Sequence, residues 1–300
     1  MNKPKLIAIV GTTASGKSSL GIDLARHYGA EIVSADSRQV YKHLDLGTGK
    51  VTPEEMALVK HHMIDILDLN EPYSMAEFQS MAYECIDDIS SRKVLPMLVG
   101  GTGLYTRSVV EGYSLVDVAP DEVLRAELEQ KNRGELISIL ESYGATAPSG
   151  EVSERRIIRM IEKLRAGYPA ENESDPRYDV LQLGITFDRD ILYSRILERL
   201  DLRIKDGMID EVREILSLGA TPEFLEKLGL EYRYTYRYIS GRYSSFEEYH
   251  DELYKEICHF AKRQMTWFRK EKNIIWLNEK GDMLEEAKAL IDKFLGDCHE

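Results

Sequence analysis

Cysteine, long apolar runs and an excess of positive charge are all lacking in this sequence of 300 residues. The three cysteines, Cys85, Cys258 and Cys298, are too few and too scattered for a disulfide framework or a zinc site. No apolar stretch approaches the roughly 18 residues that span a bilayer, and the first residues lack the pattern of a signal peptide. We therefore expect a reduced, globular protein of the cytoplasm that has no membrane partner.

The charge balance is acidic, which argues at first sight against a nucleic-acid partner. The chain has 39 Lys and Arg residues and 52 Asp and Glu residues, a formal net charge of −13. Affinity for a phosphate backbone comes from Lys and Arg side chains. The distribution of these residues therefore matters more than their sum.

Short apolar runs alternate with helical patterns along most of the chain. Strands are predicted at residues 6–10, 31–34, 62–65, 94–99, 180–187 and 274–277. Strands that alternate with helices form a parallel sheet with helices on both faces. Residues 113–175 show mainly helical patterns instead. The sequence predicts an α/β core of residues 1–112 and 176–300, interrupted by a mostly helical insertion.

A phosphate-binding loop follows the first predicted strand. Residues 11–18 match the pattern GxxxxGK[ST], with a strand before them and a helix after them. Glycines let backbone N–H groups surround an anion, and the helix N-terminus and the lysine add positive charge. This P-loop predicts a P-loop NTPase-like sheet and a phosphate or diphosphate site formed by Gly11, Thr12, Thr13, Ala14, Ser15, Gly16, Lys17 and Ser18.

A P-loop alone does not name the reaction. In motor and switch NTPases an apolar strand ends in an Asp that supports Mg²⁺. The corresponding run here, residues 94–99, ends in Gly-Gly-Thr. This difference disfavours an ATPase or GTPase, and it leaves small-molecule kinases and other transferases that act on phosphate esters.

A second polar loop follows the second predicted strand. Asp36 lies where that strand ends, at the sheet edge where α/β proteins bind ligands. Its carboxylate could serve as a general base or support Mg²⁺, or it could only cap a turn. Ser37 and Gln39 could bind a polar substrate, or they could be solvated turn residues.

Several blocks of sequence recur in one known family. They are GTTASGKS (11–18), SADSRQVY (34–41), LGTGK (46–50), HHMIDILD (61–68), LVGGTGLY (98–105), LYSRI (192–196) and AKRQMTWFR (261–269). In these blocks and in their order, the chain resembles the tRNA dimethylallyltransferases, also called tRNA isopentenyltransferases. The resemblance covers the core and less of the insertion.

The resemblance implies a prenyl transfer to tRNA. The exocyclic amine of the adenosine on the 3′ side of the anticodon would attack the first carbon of dimethylallyl diphosphate, and pyrophosphate would leave. Lys17, the loop amides and Mg²⁺ held by Ser18 would neutralise the leaving group. Arg195 or Arg199 would complete the clamp on the phosphates, since a guanidinium suits phosphate oxygens.

The resemblance also assigns the proton transfer and the tRNA contacts. Asp36 would take the proton from the adenine amine, and Thr102 would assist it or position the base. Ser37, Arg38, Gln39 and the neighbouring Tyr41 would hold the base after it leaves its stack. The residues expected to contact tRNA are Asp36, Ser37, Arg38, Gln39, Thr102, Arg125, Arg155, Arg156, Ile157, Ile158 and Arg159.

Basic residues are concentrated in two segments. Arg155, Arg159 and Lys163 are spaced four apart, which predicts one basic helix face. A second group lies within residues 255–272. Residues 232–238 alternate Tyr with Arg or Thr, a pattern that suits base stacking and phosphate contacts or an amphipathic helix. The basic segments indicate a local RNA-binding surface despite the negative total.

Three segments depart from the family pattern: residues 230–233, residues 257–259, where the family often has a Thr-Arg pair, and residues 149–154, where it usually has His-Pro-Asn-Asp. The family commonly has Ile-Gly-Tyr-Lys where this chain has Leu-Glu-Tyr-Arg at residues 230–233, so Glu231 replaces a glycine. This change falls in a part expected to contact RNA or shape its pocket. It leaves the diphosphate chemistry unchanged, and it is compatible with a divergent relative that has another RNA target.

Other functions remain open from the sequence. One is prenylation of free adenine nucleotides, another is a small-molecule kinase with Asp36 as its base, and a third is an RNA-binding protein without activity. The basic insertion favours tRNA, because a nucleotide does not need it. Retention of Lys17, Ser18, Asp36 and Thr102 argues against lost activity. Nothing in the sequence demands an oligomer, so we expect a monomer.

Overall fold

The computed structural model describes residues 3–115, 121–148 and 152–296. Its strands are β1 (Lys5–Gly11), β2 (Glu31–Ser34), β3 (His61–His62), β4 (Pro96–Gly100), β5 (Asp179–Ile185) and β6 (Ile274–Trp276). Its helices are α1 (Lys17–Tyr28), α2 (Pro53–Leu58), α3 (Met75–Ser91), α4 (Gly103–Val110), α5 (Glu122–Leu128), α6 (Arg133–Ser142), α7 (Glu154–Arg165), α8 (Arg189–Lys205), α9 (Met208–Ser217), α10 (Pro222–Leu228), α11 (Leu230–Ile239), α12 (Phe246–Phe268) and α13 (Met283–Gly296). All predicted strands are present, although β3 is shorter than predicted.

The strands form one parallel sheet in the order β3-β2-β4-β1-β5-β6. In its centre, Val10 of β1 pairs with Gly100 of β4 and with Gly184 of β5. On the far side of β4, Ser34 of β2 pairs with Val99. The carboxyl ends of β1, β2 and β4 therefore meet at one edge. This arrangement confirms the predicted α/β fold of the P-loop NTPase-like type.

Helices cover both faces of the sheet because successive side chains of a strand point to opposite sides. Ile7 and Ile9 of β1 belong to a hydrophobic cluster with α1 and α13. Leu6 and Ala8 belong to another cluster, which includes residues of α3 and α4. The core strands are consequently apolar on both faces, as parallel strands usually are.

The helices after β5 build a second layer of the core. Buried residues of α8, α9, α11 and α12 share one hydrophobic cluster. Helix α8 begins directly after Asp188, a residue type typical of an N-cap. However, the Asp188 side chain makes no capping hydrogen bond, and its backbone N–H donates to Glu279 Oε2 at 2.7 Å. A tertiary contact therefore helps to fix the beginning of this helix.

The chain divides into two compact units, the core (residues 1–110 and 176–300) and the helical arm (residues 111–175). The arm begins two residues before the predicted position, 113. Its hydrophobic cluster draws on α5, α6 and α7, including Leu128, Leu136 and Ile157. A single antiparallel bridge between Tyr113 and Ser174 joins the two ends of the arm segment.

Within the described ranges, no helix is both long enough and apolar enough to cross a membrane. The same residues contain no group of three or more His, Cys, Asp or Glu side chains that could hold a metal ion. Cys85 and Cys258 are free thiols, and Cys298 lies outside the described residues.

Candidate active site

The P-loop connects β1 to α1 by a turn that requires glycine at two positions. A Cβ on Gly11 would lie 2.6 Å from Ser15 Oγ and 2.8 Å from the Ile185 carbonyl oxygen, too close for any side chain. Gly16 has φ +85° and is the N-cap of α1, a conformation that glycine adopts without strain. These constraints place the N-terminus of α1 at the sheet edge, where its free N–H groups favour an anion.

The P-loop residues divide into those that face a pocket and those beneath it. A pocket of about 450 Å³ is lined by Ala14, Gly16, Lys17, Ser18 and Ser19 of the P-loop region, by Gly49, and by Arg195, Glu198, Arg199, Leu202 and Arg203 of α8. We call it the cationic pocket. Thr12 and Ser15 are buried, and their hydroxyl oxygens have no hydrogen-bond partner in the described structure. Of the predicted diphosphate ligands, Ala14, Gly16, Lys17 and Ser18 thus line the pocket directly.

The arginines of α8 are attached to the P-loop by hydrogen bonds. Arg195 Nε donates to the Ala14 carbonyl oxygen at 2.9 Å. Arg199 Nη2 donates to Thr13 Oγ1. No carboxylate forms a salt bridge with either guanidinium among the residues that the structure describes. The structure therefore brings both predicted clamp residues to the P-loop, in place to bind an anion.

Burial and mutual repulsion destabilise the charged forms of Lys17 and Arg199. The pKa of Lys17 falls from 10.5 to about 8, chiefly because it is buried and also because Arg199 and Arg203 are near, although Asp36 opposes the shift. The pKa of Arg199 falls to about 9, chiefly through burial and then through Arg203. An anionic ligand would relieve both penalties, so this electrostatic arrangement favours binding of a phosphate or diphosphate.

Asp36 lies directly beyond β2, beside the P-loop. Its Oδ1 accepts a hydrogen bond of 2.8 Å from the Arg38 backbone N–H. Its charge also opposes the lowering of the Lys17 pKa by burial. The structure thus places the predicted base next to the predicted phosphate-binding lysine.

Thr102 follows β4, the strand between β1 and β2. A Cβ on Gly100 would lie 2.2 Å from the Ala35 carbonyl oxygen, so glycine allows the ends of β2 and β4 to touch. A Cβ on Gly101 would lie 3.3 Å from Lys17 Cε. These contacts bring the Thr102 loop and the Asp36 loop to the P-loop. The three predicted loops therefore meet at one edge of the sheet.

Gln264 of α12 bridges two of these loops. Its Oε1 accepts from the Thr13 backbone N–H at 2.9 Å, and its Nε2 donates to the Gly101 carbonyl oxygen at 2.9 Å. The same helix carries Trp267, whose ring lies where a side chain on Gly103 would stand. The AKRQMTWFR block thus holds the site together. Its glutamine was noticed only as part of a family block, without a role.

Two side chains predicted to hold the base form hydrogen bonds within the protein instead. Gln39 accepts from Ser34 Oγ at 3.1 Å and donates to the Gly49 carbonyl oxygen at 3.1 Å. Tyr41 is buried, and its hydroxyl donates to the Glu71 carbonyl oxygen. The prediction for Tyr41 is wrong, because its ring packs against Phe224 in the core. Ser37 and Arg38 are half-buried, and Arg38 Nη2 donates to the Lys227 carbonyl oxygen at 3.0 Å.

The predicted tRNA-binding residues of the arm fall into different environments. Ile157 and Ile158 are buried in its hydrophobic cluster, so their side chains cannot form a binding surface. Arg125 Nε donates to Glu162 Oε1 at 2.6 Å, and Arg159 Nη1 donates to Glu162 Oε2 at 3.0 Å. Among these six residues only Arg155 and Arg156 are exposed, and Arg156 Nη2 lies 3.7 Å from Glu171 Oε1.

The predicted basic face of α7 is also shorter than expected. Lys163, the third residue of the spacing, is buried. Its Nζ donates to the Ala170 carbonyl oxygen at 3.2 Å and to Asn172 Oδ1 at 2.8 Å. The long side chain turns toward the following loop because that loop supplies acceptors. Lys163 therefore stabilises the arm and does not extend its basic surface.

Arg203 and Gly49 were missed by the sequence reasoning, although both line the cationic pocket. A signal for Arg203 was available. Arg195, Arg199 and Arg203 are spaced four apart, and residues at this spacing share one face of a helix. The only signal for Gly49 was its position in the LGTGK block.

Comparisons with known proteins agree with this geometry. The family model described as IPP transferase matches residues 39–271. A protein of Treponema denticola named tRNA dimethylallyltransferase 2 is 44% identical over 286 residues, which cover 92% of this chain and 96% of that protein. A protein of Shewanella sediminis with the same name is 42% identical over 295 residues, 96% of this chain and 97% of that protein.

A solved structure is similar over nearly the whole chain. It is the full-length tRNA isopentenylpyrophosphate transferase of Bacillus halodurans, which is 35% identical and covers 98% of this chain and 96% of that chain, with a TM-score of 0.74. The family match covers most of the chain, and the P-loop and Asp36, which precede residue 39, lie within the chain covered by this structure. The chain therefore belongs to the IPP transferase family.

Proposed function

We propose that this protein transfers a dimethylallyl group from dimethylallyl diphosphate to the exocyclic amine of the adenosine on the 3′ side of the anticodon in tRNA. The observation that carries the proposal is a pocket lined by Lys17, Arg195 and Arg199, with the Asp36 loop meeting the P-loop at the same edge of the sheet. The pocket suits a polyanionic leaving group, and the carboxylate suits a proton that must leave an amine. The names of the relatives support tRNA as the acceptor.

The proposed reaction forms one bond and breaks one. The amine nitrogen attacks the first carbon of the prenyl group, and the bond from that carbon to the diphosphate oxygen breaks. The electron pair goes to the leaving oxygen, where Lys17, Arg195 and Arg199 stabilise the developing charge. Asp36 accepts the proton that the amine loses, and the Thr102 hydroxyl helps to position the base.

A magnesium ion fits the oxygen donors at the pocket. The Ser18 hydroxyl lies on the pocket lining at the first turn of α1 and has no hydrogen-bond partner in the described part of the chain. We propose that Ser18 holds Mg²⁺ together with diphosphate oxygens, since Mg²⁺ is usually bound through few protein ligands and substrate phosphates. When bound, the ion would neutralise charge on the leaving pyrophosphate.

The acceptor is proposed to be tRNA and not a free nucleotide. The exposed Arg155 and Arg156 give the arm cationic groups that binding of a free nucleotide does not require. Arginines of this kind contribute binding by contacting phosphates. We further propose that the protein works as a monomer in the cytoplasm, with no membrane partner.

A labelling experiment tests the proposal. The protein is incubated with radiolabelled dimethylallyl diphosphate, Mg²⁺ and one of three acceptors: an anticodon stem-loop RNA, the same RNA with guanosine in place of the target adenosine, or AMP. Label is expected only in the first RNA. Label only in AMP would make the protein a nucleotide prenyltransferase, and label in none of the three would refute prenyl transfer to these acceptors.

A further inference from the structure

A third arginine of α8, Arg203, also lines the cationic pocket. Its side chain is only 11% exposed. Arg203 Nη1 lies 3.4 Å from the Gly47 carbonyl oxygen and 3.3 Å from Glu231 Oε1. Unlike Arg195 and Arg199, this guanidinium is not attached to the P-loop by a hydrogen bond. It lies against the loop of residues 45–50.

Gly49 provides the space through which Arg203 reaches the pocket. A Cβ on Gly49 would lie 1.7 Å from Arg203 Nη2, so any other residue would displace the guanidinium. Gly49 also has φ +62°, a conformation that other residues rarely adopt. Both constraints select glycine in the wall of the pocket, directly beneath the arginine.

The loop beneath Arg203 is held firmly by α9 and α11. The Glu211 carboxylate accepts hydrogen bonds from the backbone N–H groups of Asp45, Leu46 and Gly47, at 3.0, 2.7 and 3.0 Å. It also accepts from the Tyr232 hydroxyl at 2.6 Å. A loop fixed by three backbone hydrogen bonds to one carboxylate, which Tyr232 also holds, gives Arg203 a rigid support.

Glu231 is the single acidic partner of Arg203 among the described residues. Its side chain is 18% exposed and lies in the first turn of α11. Glu231 is also one of the positions at which the chain departs from the family pattern; glycine is usual there. A glycine could not pair with an arginine. The departure, which the sequence led us to expect would leave the diphosphate chemistry unchanged, is therefore tied by a direct contact to the wall of the cationic pocket.

We propose that Arg203 is a further diphosphate-binding residue and that Glu231 is its positioning residue, which holds the guanidinium over Gly49 so that it faces the pocket. The inference rests on the proposed function, because it takes the pocket to be the diphosphate site. Glu231 orients one edge of the guanidinium and leaves the remaining N–H donors for phosphate oxygens. Glu231 itself touches no substrate.

The first test measures binding of inorganic pyrophosphate by calorimetry in the presence of Mg²⁺. Arg203→Met should weaken binding about tenfold, because charge-assisted hydrogen bonds to a phosphate are lost. Glu231→Ala should weaken it about threefold, and Glu231→Gln by less, since the amide oxygen still accepts from Arg203. In the Arg203→Met background, Glu231→Ala should change binding less than about twofold, since a positioning residue acts only through its partner.

The control is Arg213→Met, which removes an exposed arginine of α9 paired with Asp210. It should leave pyrophosphate binding unchanged. Melting temperatures of all variants exclude unfolding as the cause of a loss. Unchanged binding by Arg203→Met, or an equal loss from Glu231→Ala with and without Arg203, would overturn the proposal.

A second test separates the two substrates in the transfer reaction. Arg203→Met and Glu231→Ala should raise KM for dimethylallyl diphosphate and leave KM for the stem-loop RNA unchanged. A rise in KM for RNA alone would assign Arg203 to the RNA and refute the diphosphate role. The wild-type protein tests the proposed function separately: if it binds no pyrophosphate and transfers no label, that function fails, whatever the variants do.

Discussion

Two arginines of the core, Arg195 and Arg199, and two of the arm, Arg125 and Arg159, differ in their hydrogen-bond partners. In the core, Arg195 and Arg199 donate to a carbonyl and a hydroxyl oxygen, with no acidic partner in the described residues, and burial lowers the pKa of Arg199 to about 9. In the arm, Arg125 and Arg159 both donate to the carboxylate of Glu162. Arg195 and Arg199 are therefore available to an anion at the P-loop, whereas Arg125 and Arg159 stabilise the arm through Glu162. The same residue type thus serves the site at the first two positions and the fold at the other two.

The largest expected effect is a loss of turnover without a matching loss of RNA affinity. Asp36→Asn keeps an oxygen that accepts from the Arg38 N–H, but it removes the proposed base. We expect kcat for prenyl transfer to fall about a thousandfold, because a general base contributes 10²–10⁴ in rate. Affinity for the stem-loop RNA should change little. Asp210→Asn, an exposed aspartate of α9, serves as the control, and near-normal turnover by Asp36→Asn would remove Asp36 from the base role.

A smaller effect is expected from removing Glu162, the acid that pairs with Arg125 and Arg159. The Glu162 side chain is 1% exposed, and burial opposes its ionisation, but bonds from Arg125 and Arg159 hold its pKa below the ordinary value. Its stabilisation is therefore present at neutral pH and is lost as the pH falls through that lowered pKa. Because both arginines are partly exposed, we expect Glu162→Ala to cost about 2 kcal/mol.

Hydrogen exchange measures this loss locally. Amides of α7 should exchange about thirtyfold faster in Glu162→Ala, the rate ratio that corresponds to such a loss. Glu141→Ala, at an exposed position of α6, should leave them unchanged. Full protection of α7 in Glu162→Ala would mean that the arm does not depend on this carboxylate.

The exposed arginines of the arm should show a third, more moderate effect. Replacing both Arg155 and Arg156 with Ala should weaken stem-loop RNA binding about tenfold at low salt and reduce the salt slope by about two. Arg125→Ala should reduce the slope much less, because its guanidinium already neutralises Glu162. Equal slopes for these variants would remove the distinction between the exposed arginines and the arginine bound to Glu162.

The smallest effect concerns the pH dependence of the cationic pocket. Lys17 has a pKa of about 8 in the free protein, mainly through burial, and a bound diphosphate would restore its charged form. Below pH 8 the lysine is already charged, whereas above it binding must take up a proton. Pyrophosphate affinity should therefore fall about threefold from pH 7.5 to 8.5 through this group.

Calorimetry in buffers of different ionisation enthalpy would detect that proton uptake. Lys17→Arg stays charged over the whole range, so its pH slope reports only the titration of pyrophosphate itself. If the wild-type protein shows the same slope and no extra proton uptake, the pKa of Lys17 is not lowered in solution.

Local patterns predicted the parts of the site that depend on nearby residues. The P-loop and the strands around it were evident because their residue types and spacings are constrained within a few positions. Tyr41 and Lys163 were misjudged for the opposite reason. Their surroundings come from distant segments, Phe224 for the first and the loop at Ala170 for the second. No local pattern reveals that a polar side chain will be buried against such a partner.

The sequence by itself determined the α/β order, the anion-binding P-loop and the candidate base Asp36, since each is encoded by short-range spacing. Only the tertiary structure decided which cations face the pocket and which are neutralised. Arg203 meets Glu231 across 28 positions of sequence, and Arg125 meets Glu162 across 37. The charge available to a ligand depends on burial and on acidic neighbours, and both arise when distant helices pack together.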